Sequence, residues 1–111
     1  MAEFINHISV DRRPSHTVIA LFGEFDAADG HRLRDVVTPL LDEPRPKVDL
    51  DLAGVTFAGS ATLGVLLELR AATRSAAGEL RIVAASPGVA RLLELTGLSQ
   101  VLGLNAVSGA D

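Results

Sequence analysis

Cysteine is absent from the 111 residues, which excludes disulfides and thiolate metal sites and fits a reducing compartment. Positive charge is scarce. Ten lysines and arginines stand against fourteen aspartates and glutamates, a formal charge of -4, so no nucleic-acid surface is expected. No apolar run reaches membrane-spanning length, because the longest candidate is broken by Gly64, Glu68 and Arg70. Direct membrane insertion is therefore not expected. The opening residues, MAEFINHISV, lack a basic region, apolar core and cleavage site in the order of a secretory signal. The expected location is cytoplasmic.

Enzyme signatures are missing as well. The turn Gly59-Ser60-Ala61-Thr62-Leu63 is not G-x-S-x-G, and His7, His16 and His31 all precede it. Neither G-x-x-x-x-G-K-[ST] nor G-x-G-x-x-G occurs. The histidines lack the i, i+4 spacing of a metal pair. No catalytic residue, metal or cofactor is expected.

What is present reads as one globular domain, 48% hydrophobic and 22% charged, large enough to bury its own core. Its organising stretch covers residues 48–70. Val48, Leu50 and Leu52 alternate with Asp49 and Asp51, the pattern of a strand with one apolar face. The small residues 53–59 predict a turn, and a helix starts near Ser60 or Ala61. It runs through Leu63, Val65, Leu66, Leu67 and Leu69 and loses its pattern at 75–78. A strand feeding a helix start gathers hydroxyls and backbone N–H groups, a place where a partner or an anion is read.

Before this stretch, residues 4–10 and 16–25 predict an antiparallel hairpin turning at Pro14. Residues 17–22 are apolar on both faces, which places that strand inside the sheet. Asp26 predicts the N-cap of a helix reaching about Leu41, with Leu33, Val36, Val37, Leu40 and Leu41 as its stripe. Pro39 predicts a kink or an early end there. Further on, residues 79–85 predict a strand. Ser86 follows as N-cap with Pro87 at the first helical position. Val89, Leu92, Leu93 and Thr96 form the inward stripe, and Gly97 the left-handed cap. Residues 98–104 are an ambiguous apolar segment, and 105–111 a frayed tail. The order strand, strand, helix, strand, helix, strand, helix predicts an α/β fold. Its single mixed, mostly parallel sheet has four to five strands and an antiparallel start. Asp49, Asp51 and Arg81 wet one face, so the helices belong mainly on the other.

Two readings stay open at the organising stretch. Asp26 is simply a helix cap, or it also shapes the surface beside Ser60. Leu63 and Leu67 pack under the helix beginning at Pro87, or they join Ser60 and Gly64 in a patch that docks another protein.

Three stretches resemble one family. These are Gly23-Glu24-Phe25-Asp26, the run VDLDLAGVTF at 48–57, and SPGVARLLELTGLSQVL at 86–102. In this order and spacing the chain resembles a STAS domain of the anti-sigma factor antagonist type over nearly its whole length. The resemblance implies a single STAS domain at 1–111, with an ordered core at 2–104. It implies a non-enzymatic protein that binds an anti-sigma factor, usually a serine kinase, and so frees a sigma factor. That kinase phosphorylates a serine in Asp-Ser-Ser/Thr-Gly at the signature helix start.

Aligned on that pattern, the aspartate becomes Gly59, the first serine Ser60, the acceptor Ala61 and the glycine Thr62. Ala61 has no hydroxyl, so phosphorylation at the usual position is chemically excluded. Ser60 and Thr62 are the candidate displaced acceptors, but they read more simply as an N-cap and as a first-turn residue bonded to backbone. The expected partner surface is Asp26, Ala58, Gly59, Ser60, Ala61, Thr62, Leu63, Gly64 and Leu67. Within the same fold the alternative is a cytoplasmic accessory subunit of a lipid or anion transporter. From another class, it is a small-ligand or nucleotide sensor.

Overall fold

Two strands open the described residues, Asn6–Arg12 (β1) and the more apolar Thr17–Phe25 (β2), which buries Thr17, Ile19, Leu21 and Phe25 along one face. They pair antiparallel, with Ile8 opposite Leu21 and Asp11 opposite Val18. The structure, a computed structural model, describes residues 6–104. The first residues of the predicted 4–10 strand and 2–104 core, and the 105–111 tail, lie outside them. Lys47–Ala58 (β3) runs parallel to β2, and Glu79–Ala85 (β4) runs parallel to β3. The sheet order is β1-β2-β3-β4, four strands with one antiparallel pair. Gly30–Val37 (α1), Ser60–Ser75 (α2) and Pro87–Leu95 (α3) are the α-helices among the described residues.

One face of the sheet carries the core. Ile19, Leu21, Val48, Leu50, Leu52, Val55, Leu80 and Ile82 are buried against the helices. Leu33 and Val37 of α1, Val65, Leu66 and Leu69 of α2, and Val89 and Leu93 of α3 complete it. The expected one-sided arrangement follows from this, and β2 takes its expected place inside the sheet. That strand does lie between two others, yet its second apolar row is not covered: Val18 and Ala20 are half-buried and Phe22 is exposed. The Phe22 ring instead shields backbone, since a Cβ on Gly54 would stand 2.5 Å from its Cδ2.

Residues 53–58, expected to turn, continue β3. They stay extended because β2 runs beside them as far as the pair Phe25–Ala58. Two register shifts, at Ala20/Phe22 and at Gly23/Glu24, each insert one extra residue into β3. Such bulges bend a strand and re-aim its end, and here they carry the chain towards the start of α2.

Asp26 caps a short 3-10 turn, Ala27–Asp29, which leads into α1. The α-helix stops at Val37 and tightens into a second 3-10 turn, Thr38–Asp42, as Pro39 removes an N–H from the ladder. Ser86 holds the N-cap position of α3 with extended backbone, but its side chain makes no capping bond. Its N–H is committed to the Leu52 carbonyl at 3.2 Å. Thr96 is exposed, not inward, because it sits past the last helical turn and its hydroxyl bonds back to the Leu92 carbonyl at 2.9 Å. Gly97 takes the left-handed conformation at φ 76°, as expected. The segment 98–104 is a set of turns instead of a fifth strand. It buries Leu102 and Leu104, and the Leu102 carbonyl accepts the Ile82 N–H at 2.7 Å, shielding part of the β4 edge. Among the described residues, no helix is long and apolar enough to cross a membrane.

Candidate functional site

The start of α2 is fastened to the end of β2 by one carbonyl. Phe25, itself buried, accepts the Gly59 N–H at 3.0 Å and the Thr62 hydroxyl at 3.0 Å. Gly59 is the N-cap, with extended backbone, and its carbonyl accepts the Thr62 and Leu63 N–H groups. This displaces Ser60 from the expected capping role to the first helical position. The chain passes within ordinary contact of its neighbours here: a Cβ on Gly59 would stand 3.8 Å from Asp26 Cα and 3.7 Å from the Phe57 ring. Asp26 therefore borders the helix mouth, and it also caps the 3-10 turn before α1.

Ser60 and Ala61 are exposed on the first turn of α2. Helix geometry leaves the Ser60 and Ala61 N–H groups without intrahelical acceptors, and no side chain among the described residues caps the helix. The positive end of the helix dipole therefore faces outward at this point. Asp26 and Gly64 are exposed too, while Ala58, Gly59 and Leu67 are half-buried. Ala61 is neither interior nor extended. Two members of the expected surface are not on it. Thr62 and Leu63 are each only 6% exposed. Thr62 turns its hydroxyl inward to the Phe25 carbonyl, and Leu63 joins the hydrophobic core. The apolar patch imagined from Leu63 and Leu67 is reduced to the outer part of Leu67, which packs at the core margin.

Phe57 is the surface residue that sequence reasoning missed. It is 53% exposed beside the mouth. An aromatic residue just before the small pair Ala58-Gly59 was the available signal.

A polar network braces the same end of the sheet. The Asp26 N–H donates to Asp29 Oδ2 at 2.9 Å, and Asp26 Oδ1 accepts from the Ala28 N–H at 3.1 Å, a reciprocal capping box. Asn6, buried at the start of β1, donates to Asp29 Oδ1 at 2.9 Å and to the Glu24 carbonyl at 3.0 Å. Its own carbonyl oxygen accepts from Arg32. The Asp26 N–H holds the Asp29 carboxyl below its ordinary value, with burial opposing and Asn6 assisting. A depressed carboxylate stabilises the fold in full above the unfolded value, and this contribution is lost as pH falls through the folded one. Asp29→Ala is expected to cost about 2 kcal/mol at neutral pH, from a lost cap and a charged hydrogen bond. The gap between variant and wild type should narrow as pH drops below the ordinary aspartate range, which urea titrations at several pH values would measure. On the outer face, Arg34 of α1 forks onto Glu68 of α2 at 2.8 and 2.9 Å and lowers the Glu68 carboxyl by hydrogen bonding.

A four-stranded mixed sheet with its helices on one face, and a helix mouth without a side-chain cap at its edge, defines a small single-sheet α/β domain. Comparison with known proteins narrows the class. The family model described as "Mlab, STAS domain" matches residues 8–104. The chain belongs to the STAS domain family. It is 29% identical over 83 residues to the anti-sigma-B factor antagonist of Staphylococcus aureus, covering 75% of this chain and 77% of the relative. An anti-sigma factor antagonist from Mycobacterium paratuberculosis superposes with TM-score 0.72 at 27% identity, covering 91% of this chain and 86% of the other. The anti-sigma factor antagonist SpoIIAA in its unphosphorylated form gives TM-score 0.74 at 21% identity, covering 85% and 84%, and shares the fold.

Proposed function

We propose that this protein is an anti-sigma factor antagonist. It docks on an anti-sigma factor of the serine-kinase type through the face around the start of α2, and so frees a sigma factor. It acts in the cytoplasm by binding and not by catalysis. Ala61 stands where the family places its phospho-acceptor, so the usual switch is absent from that position. The observation that supports this reading is a first helical turn without a side-chain cap that exposes Ser60 and Ala61, its N-cap Gly59 lying close to Asp26. A phosphate there would add about 1.5 to 2 negative charges. The helix end tolerates such charge, and a partner's apolar docking face does not.

Affinity capture from the native cells tests the partner. The expected result is an anti-sigma factor with a kinase-type ATP-binding domain. Recovery of a transporter ATPase in its place would overturn the reading. The same kinase offered the Ala61→Ser variant should transfer phosphate to the new hydroxyl, and its grip on that variant should weaken when ATP is added.

A further inference from the structure

At the far end of β3 and α2 from this mouth lies a recess of about 700 Å³. Arg45, Lys47, Arg70, Arg74 and Arg81 line it, against a single carboxylate among the described residues, Glu79. Half of the ten lysines and arginines of a chain with net charge -4 thus face one concavity. Elsewhere the basic residues are mostly spent on ion pairs: Arg12 with Glu43, Arg13 with Asp11, Arg32 with Asp29 and Arg34 with Glu68. Among the described residues, Arg45, Lys47, Arg70 and Arg74 make no ion pair and no side-chain hydrogen bond, and Arg81 reaches Asp49 only through Nε at 3.3 Å. Like charges gathered in a concavity focus a positive field and repel one another unless an anion enters.

The floor is rigid. Gly78 lies directly against Pro46, where a Cβ would collide with backbone, and the Glu79 N–H donates to the Pro46 carbonyl at 2.8 Å. Gly103 backs onto Arg81, where a Cβ would stand 2.6 Å from the arginine Cβ. Arg45, between Pro44 and Pro46, is held in the left-handed region at φ 49°, a conformation a side-chain-bearing residue adopts at a cost of about 1 kcal/mol or more.

We propose that this recess binds a small anion carrying two or three linked phosphates, inorganic or esterified. Guanidinium forks match phosphate oxygens in pairs, and the volume is that of a small-molecule site. Four uncommitted cations exceed what a single phosphate needs. Among the described residues no aromatic side chain lines the recess, so recognition falls on the phosphate chain and not on a stacked base. The site is separate from Ser60 and Ala61 and stands whether or not the docking reading does.

Titration calorimetry at low salt with sodium tripolyphosphate tests it. One saturable site is expected, with amide shifts in NMR spectra concentrated at residues 77–81 and 100–103. The double variant Arg70→Gln/Arg74→Gln should weaken binding at least tenfold. Arg91→Gln, which removes a cation outside the recess that is unpaired among the described residues, should leave it within twofold. Equal affinity for ATP identifies the phosphate chain alone as the determinant, and tighter ATP binding identifies an esterified source. No saturable binding, shifts elsewhere, or equal losses in the Arg91→Gln and recess variants would overturn the proposal. So would binding of a polyglutamate peptide without any response to tripolyphosphate.

Discussion

Ala61→Glu is expected to weaken capture of the anti-sigma factor by more than about a hundredfold, some 2.7 kcal/mol, while the domain stays folded. The two effects separate because of where the residue sits. Ala61 is exposed at the second position of α2, beside N–H groups that no side chain caps. A carboxylate there gains roughly 0.3–1 kcal/mol from the helix dipole and loses a few tenths of a kcal/mol in helix propensity relative to alanine. The net change in stability is therefore close to zero. At the proposed interface the same carboxylate would have to shed water against the partner, a desolvation cost of several kcal/mol. Paired measurements of melting temperature and of affinity for the partner check both halves.

Leu66→Ala should do the opposite, destabilising the domain by about 3 kcal/mol and lowering its melting temperature by roughly 12 °C. Leu66 is 1% exposed and lies midway along α2 among the residues facing the sheet. Its loss removes buried apolar area and leaves a cavity between helix and sheet that rigid neighbours fill only in part. Affinity for the partner, measured at a temperature where the variant is still folded, should change little, because Leu66 does not reach the surface. Thermal melts followed by circular dichroism give the first number.

The contrast between these neighbours on one helix shows what was legible beforehand. The order of elements and the inward stripe of α2 follow from apolar spacing alone, since Val65, Leu66 and Leu69 recur on one face. The fate of Leu63 could not be read that way. It falls on the flank of the stripe, where depth depends on how the helix is tilted by its anchor, and that anchor is the Phe25 carbonyl holding Gly59 and Thr62. Likewise Ser60 is a good capping residue by type, but the extended backbone at Gly59 takes the capping position one residue earlier. Small residues at 53–58 resemble a turn in isolation, and only pairing with β2 keeps them extended. The network joining Asn6 to Asp29 spans 23 residues of sequence. The basic recess gathers residues near 45, 70–81 and 100–103. Neither leaves a local pattern, because both are products of how the sheet brings strand and helix ends together.

The most direct measurement is the intact mass of the wild-type protein after incubation with the proposed kinase-type partner and ATP, taken together with the amount of complex that survives. With a methyl group at position 61 and the Thr62 hydroxyl turned inward, the mass should be unchanged and the complex should persist. Stoichiometric gain of one phosphate at Ser60 or Thr62, with release of the partner, would contradict a docking protein that lacks the family's switch.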